Sequence, residues 1–389
     1  MEDVFLHKNA NLENDWRMMM FLGLRELKGS KLRYALMLAV VTLIAWLVFF
    51  LVGMADGLTE ETASVFENTP ADYYVFSTKS ENVFSKSLLE KNIIDDLKRI
   101  KGVEAASYLS YTPATIFNSK QEKLETSLFS IDEKGFITPA IIEGKALADV
   151  SIHGVVVDSR LKADGYKLGD SFIVEGYDQP LKIEGITEGY AYLYQPVVFV
   201  HNQTWQGIRF AENDKKAGLI DPMSVAVIKG GEGLEPTITS SLGGVNVLSK
   251  KAVISKIPGY TQMDVSIKGM AWFAMVIAGL VLAVFFYVLT LQKTNQFGML
   301  KAMGASNIYL MKSVITQVMV ITISGVVLAV VLSYAIAAMI PPGTMPFKLN
   351  VTLVIGYSVA MIVIAFLSSL LSLLHITKID PLQAMGRMA

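Results

Sequence analysis

Three carboxylates, Asp56, Glu60 and Glu61, stand within the stretch GMADGLTEE, which follows an uncharged apolar run with no proline or turn cluster between. With Met54 they are the residues whose types and depth could do ligand chemistry, since a carboxylate is a hard oxygen donor and a thioether a soft sulfur donor. A carboxylate just outside a membrane-length run is more often a solvated interfacial charge, so residue type alone leaves both readings open. If the helix continues past Gly53, then Phe50, Met54, Gly57 or Leu58, Glu61 and Ser64 share one stripe, and Asp56 and Glu60 point elsewhere. Gly53 and Gly57 form a small-x-x-x-small pair of the kind that lets helices approach closely, or that serves as a packing face.

Other chemistry is excluded by what the chain lacks. There is no cysteine, which removes disulfides, thiolate catalysis and cysteine metal sites. His7, His153, His201 and His375 are too dispersed for a two-histidine metal motif. No nucleophile elbow or paired-carboxylate pattern occurs. The net charge of -1, with no helix-turn-helix or zinc-finger pattern, argues against a nucleic-acid partner. No Gly-x-x-x-x-Gly-Lys-Ser/Thr loop is present to cradle nucleotide phosphates. The chain therefore reads as a non-enzyme without an intrinsic cofactor.

The elements that must position these residues belong to a membrane protein with a large water-exposed part. The 389 residues are 52% hydrophobic and 18% charged, with mean hydropathy +0.44. Crossing the hydrocarbon takes about 20 apolar residues, and runs at 34–53, 269–292, 313–340 and 349–374 qualify. Arg17, Arg25, Lys28, Lys31 and Arg33 precede the first run, Lys293, Lys301 and Lys312 lie between the second and third, and Lys378 and Arg387 follow the fourth. Only Lys348 lies between the third and fourth. This bias places both termini in the cytoplasm and the region between the first two spans outside. The stretch WRMMMFLGLREL reads either as a helix on the inner membrane surface or as a plain cytosolic helix start.

The expected organisation is a cytoplasmic amphipathic segment at 1–33, a first membrane helix with external extension at 34–68, and an extracytoplasmic α+β domain at 69–262. A second span at 263–292, a cytoplasmic helix at 293–308, a third span at 309–340, an external loop at 341–349, a fourth span at 350–375 and a cytoplasmic tail at 376–389 follow. Within the α+β domain, SLLEKNIIDDLKRIKGV has helical periodicity, while EAASYLSYTPATIF and YQPVVFVH read as strands. HGVVVDSRLKADGYKLGDSFIV reads as strand, short helix, glycine turn and strand, suggesting a sheet with helices on one side. Tyr190, Tyr192 and Tyr194 alternate, which in a strand puts them on one face. Sheet packing is the ordinary use of such a face, and stacking against a flat ligand the rarer one. After the second span, Phe297, Leu300 and Met303 or Gly304 recur at helical spacing with Lys301 opposite. Such a helix is either a seat for a cytoplasmic partner or a bare connector.

FFYVLTLQKTNQFGMLKAMGAS and the C-terminal TKIDPLQAMG resemble the MacB/FtsX superfamily of ABC transporter permeases, as does the order of one span, a large external domain and three spans. More narrowly, GMADGLTEETASVFENTPADYYV, FFYVLTLQK and PPGTMPFKLN resemble the haem-exporter permeases of the HrtB type. Many members of the superfamily carry an acid where Gln296 stands. The resemblance implies a homodimer in the lipid bilayer, paired with two copies of a separate ATPase. It implies a coupling helix containing Gln296, Phe297, Gly298, Leu300, Lys301, Met303 and Gly304, and haem taken as cargo from the outer leaflet. Under that resemblance Glu61 is the first expectation for an iron ligand and Met54 the second, beside Gly57 and Phe50. Tyr260, Met263 and Met270 would form the facing wall, with Lys268 toward a propionate. The same architecture would also suit export of another amphipathic compound, or a transmembrane regulator of a cell-wall hydrolase.

Overall fold

The computed structural model describes residues 31–210, 218–340 and 345–376. The expected amphipathic segment before residue 31, the tail after 376 and residues 341–344 of the last loop lie outside them. The described chain divides into two compact units. One holds the residues up to Asp56, Ser266–Ile340 and those from Phe347 on, and the other holds Gly57–Val265.

Helix α1 (Lys31–Glu67) answers the question its sequence poses, for it runs without a break through GMADGLTEE. Its last turns are core residues of the second unit: Ala63, Val65 and Phe66 are fully buried. The inserted domain that follows contains β1 (Tyr73–Ser77), β2 (Leu89–Glu90), α2 (Ile93–Lys98), β3 (Val103–Phe117), β4 (Lys123–Ile131), β5 (Ile141–Gly144), β6 (Gly154–Asp158), β7 (Ser171–Val174) and β8 (Tyr177–Thr187). Then come β9 (Ala191–Tyr192), β10 (Gln195–Val200), α3 (Asn202–Arg209), β11 (Pro222–Met223), β12 (Val225–Gly230), α4 (Glu235–Ser241), β13 (Val245–Ser249) and α5 (Lys250–Ser255).

Eleven strands make one mixed sheet in the order β13-β1-β12-β3-β4-β10-β6-β8-β5, with β7 paired to β3 and β8, and β9 to β10. Successive residues of a strand face opposite ways, and here both faces are buried. Tyr74 and Phe76 of β1 join Val225, Val227, Leu109 and Tyr111 on one face. Tyr73 and Val75 join Ala226, Ile228, Ala106 and Tyr108 on the other. Helices α2 and α4 pack on the second face and α5 and the end of α1 on the first, which corrects the expectation of helices on one side. The helix expected over SLLEKNIIDDLKRIKGV is also shorter than its periodicity suggests. Leu89 and Glu90 pair with β11 instead, and the Glu90 carboxylate accepts from the N–H groups of Ile220 and Asp221.

The remaining helices are α6 (Tyr260–Gln292), α7 (Thr294–Ala302), α8 (Asn307–Met339) and α9 (Val351–Ile376). Among the described residues four helices, α1, α6, α8 and α9, are long and apolar enough to cross a membrane. Ala45, Val48, Phe49 and Val52 of α1 pack with Ala271 and Met275 of α6, Val326 and Ala329 of α8, and Val354 and Met361 of α9. Small residues set the spacing: a Cβ on Gly325 would lie 2.7 Å from Val41 Cγ1, so only glycine allows α8 this close to α1.

Candidate functional site

Two turns of α1 in the inserted domain are laced to a neighbouring chain edge. The Asn68 amide donates to Gly189 O (2.6 Å), and Ser64 Oγ accepts from Ala191 N (2.7 Å) while donating to Ala191 O (3.3 Å). Leu193 N donates to Thr62 O (3.2 Å) and Tyr194 N to Glu61 O (2.9 Å). Ser64 is fully buried, so its hydroxyl satisfies groups that water cannot reach.

The edge itself is a tight hairpin. Tyr192 pairs with Gln195, leaving Leu193 and Tyr194 as a two-residue turn with φ of 52° and 66°. Such turns favour Asn-Gly, because both central residues are left-handed. The turn breaks the alternation expected for the tyrosines. Tyr190 and Tyr192 are buried in the core, but Tyr194 is turned out and 51% exposed. Its hydroxyl donates to Met263 Sδ. Asp158, fully buried at the end of β6, fixes the start of the same edge by accepting from Tyr190 N (2.7 Å), and also from Arg160 N (3.0 Å). Burial pushes its carboxyl above the ordinary carboxylate range, against the pull of Arg160 and the backbone donors.

Within the inserted domain, then, Tyr194 links Glu61 to Met263: its backbone meets one and its hydroxyl the other. Glu61 is half-buried, and the charged groups that act on it are Arg160, Glu60 and Asp158. Gly57 is buried, and Tyr260 packs against the core that holds Phe66 and Val253 rather than standing as an open wall. His201 is buried with its Nδ1 paired to Glu133. Among the described residues no group of three or more histidines and carboxylates could hold a metal ion.

In the membrane unit, Phe50 lies between Trp46 (5.8 Å between centroids) and Phe347 (5.5 Å), and Met54 is half-buried. Gly53 does not present an open face for a second subunit. A Cβ there would lie 2.5 Å from the Phe347 ring, and Gly53 O accepts from Lys348 N. The chain's own 347–349 segment fills the space. Lys268 and Met270 of α6 are exposed.

Helix α7 ends on Gly304, whose φ of 95° lets Gly304 N reach Lys301 O and Ala305 N reach Leu300 O, both at 2.9 Å. Ser306 then caps α8 by accepting from Tyr309 N. Phe297 and Gly298 are buried and Leu300 packs against the membrane core, but Met303 falls past the helix end and is 76% exposed. The apolar face is therefore shorter than the spacing suggests. The outward face carries Gln296, Met299 and Met303 instead, and Met299 was not among the expected residues. By sequence Lys293 is one of the basic residues between the second and third apolar runs. It is buried, and its Nζ donates to Gln317 Oε1 (2.7 Å) and Tyr34 OH (3.3 Å). A polar residue at the end of each of three apolar runs was the available signal.

Residues 268–381 match the family described as FtsX-like permease C-terminal. A protein of Staphylococcus haemolyticus named as a hemin transport system permease, HrtB, is 25% identical over 95% of this chain and 100% of its own length. One of the same name from Staphylococcus epidermidis is 25% identical over 94% and 99%. An ABC transporter permease of Mycobacterium tuberculosis, described as uncharacterized, is 25% identical over 95% and 99%. The crystal structure of the periplasmic region of MacB from Actinobacillus actinomycetemcomitans aligns with 49% of this chain and 94% of that one, at 13% identity and a TM-score of 0.35. With four membrane-length helices, an α+β domain inserted after the first and the matched C-terminal region, the chain carries an FtsX-like permease domain and is similar along its length to permeases of ABC transporters.

Proposed function

We propose that this chain is the permease subunit of a haem exporter, working as a homodimer with two copies of a separate ATPase. The observation that carries the reading is the similarity to permeases named for hemin transport along nearly the whole of both chains. Haem is a flat apolar disc with a hard ferric ion at its centre and two carboxylates at one edge. Glu61, half-buried where an apolar helix gives way to a folded domain, suits the ion as an oxygen ligand. Met54, two turns earlier on the same helix, is the second choice.

Both termini are proposed to face the cytoplasm, with the inserted domain outside and the ATPase received by Gln296 and Met299 of α7 and by Met303 just beyond it. ATP can drive export only by binding one conformation of the complex more tightly than the other. Moving a population from 1:99 to 99:1 takes about 5.5 kcal/mol of such difference. The partner would hydrolyse ATP to reset the cycle, and this chain would supply the haem site and the moving helices.

The test is an absorption spectrum of the purified permease with added haem, wild type against Glu61→Ala. A shifted Soret band that the substitution abolishes supports haem as cargo and Glu61 as ligand. A band that survives keeps the cargo and moves the ligand to Met54. No shifted band in either protein removes the haem reading and leaves export of another amphipathic compound.

A further inference from the structure

The inserted domain contains a cavity that a haem ligand on α1 does not use. Its volume is about 120 Å³. The rings of Phe66, Phe76, Phe84, Tyr111 and Tyr192 form its walls, and all five residues are buried. They meet edge to face, Phe66 with Phe84 at 5.3 Å and 82°, Tyr111 with Tyr192 at 4.8 Å and 80°. This locks the rings against each other and leaves a shaped gap rather than a collapsible one. Folded interiors keep few voids larger than a water molecule, because an unfilled void forfeits packing. A gap walled by rings also offers water few partners.

The rim has a different character. Ser85 and Lys256 line it and are exposed, and Asn82 joins them. Among the described residues no carboxylate lines the cavity, and Lys256 is the charged side chain in its lining. An enclosed apolar cavity of about 150 Å³ takes up benzene, which sets the scale for this one: a single ring fits and a tetrapyrrole does not.

We propose that this cavity binds a small amphipathic anion, its ring or similarly bulky apolar end among the aromatic walls and its carboxylate against Lys256. The site is separate from the haem reading and stands or falls without it. It also reaches α1. Leu193 lines the cavity, and its N–H holds the Thr62 carbonyl one residue from Glu61. An occupant therefore stiffens the hairpin that braces the end of the first membrane helix.

The experiment uses the full chain in lipid nanodiscs, with para-fluorobenzoate as probe, para-fluorobenzyl alcohol as its uncharged counterpart, and fluorine NMR as readout. Saturable binding of the benzoate above that of empty nanodiscs is expected, with slower hydrogen exchange at the Leu193 and Tyr194 amides. Val83→Phe, which fills the cavity from its loop side, is expected to abolish binding of both probes. Lys256→Gln, at an exposed position that leaves the fold intact, is expected to weaken the benzoate about fivefold and leave the alcohol unchanged, the scale of one exposed ion pair. Binding no stronger than to empty nanodiscs, or equal in wild type and Val83→Phe, overturns the site. Loss in Val83→Phe with no effect of Lys256→Gln overturns the anion. Should Val83→Phe not fold, the Lys256→Gln comparison decides alone.

Discussion

Helix α1 is held in two different ways along its length. In the membrane unit Val41, Ala45, Val48 and Phe49 are fully buried by apolar neighbours, and Gly325 admits α8 to the helix backbone. In the inserted domain the helix is fastened by directed bonds from Glu61, Thr62, Ser64 and Asn68 to the 189–194 edge. Dispersion contacts are non-directional and each is small, so packed helices can slide by short steps. A row of hydrogen bonds with the buried Ser64–Ala191 pair at its centre permits no such step without leaving groups unpaired. One stretch of the helix is thus held by apolar packing and the other by directed bonds.

The comparison breaks most visibly at two phenylalanines of this helix. Phe66 is 1% exposed and Phe49 0%. Phe66→Ala removes transfer energy and leaves a cavity, and is expected to cost about 3–5 kcal/mol. Phe49→Ala is expected to cost about half as much, because its reference state is a helix in lipid, where burial brings no hydrophobic gain. Parallel denaturation of the full chain in mixed micelles measures both. Equal losses would mean that the two stretches are held by the same force.

Asp158→Asn tests the directed bonds next. The substitution turns an amide NH₂ toward donors that now share a carboxylate, at an expected cost of about 2–3 kcal/mol. The effect depends on pH with a defined sign. The native carboxyl titrates above its ordinary value of 3.8, so its stabilising contribution is complete below that value and is lost as pH rises through the folded value. The gap between wild type and Asp158→Asn in denaturant midpoint should shrink from acid toward neutral pH. A gap that widens would show a carboxylate better served by Arg160 than burial penalises it.

Ser64→Ala is expected to cost about 1–2 kcal/mol, since it strands the Ala191 N–H in a dry site. Faster hydrogen exchange confined to the 189–194 edge is the confirming signature. Exchange spread evenly over the domain would mean that the lacing is not a unit.

The two holding modes were unequally legible in the sequence. A span needs an unbroken apolar run, because lipid offers the backbone no other partner; the four helices therefore announce themselves. So does the continuation of α1, since nothing between Gly53 and Glu67 stops a helix. The lacing is invisible, because Ser64 and Ala191 are 127 residues apart and carry no local pattern. Helices on both faces of the sheet were hidden by a related ambiguity: YYVFS in β1 is apolar at nearly every position, so alternation cannot say which face is covered. Helical spacing offers Met303 or Gly304 as the next apolar position, but periodicity alone counts past a helix end that Gly304 sets. Of the expected site, residues on α1 could be placed by helical spacing, whereas Tyr194 was assigned to a strand face that a turn interrupts.

That turn supplies the smallest effect and the only one of opposite sign. Leu193 and Tyr194 hold a left-handed pair of conformations that ordinarily falls to Asn and Gly. A side chain there works against the backbone by about 1–2 kcal/mol per residue, and the bonds to Thr62 and Glu61 use only N–H groups, which any residue but proline supplies. Tyr194→Gly keeps those bonds and relieves the backbone, while adding freedom to the unfolded chain. The net expectation is a gain of about 0.5–1 kcal/mol in the denaturant midpoint of the full chain. Tyr194→Ala, which removes the same side chain without relieving the backbone, should give no gain. If both variants lose stability alike, the hydroxyl on Met263 outweighs the strain, and the hairpin is held by its side chain rather than by the helix it braces.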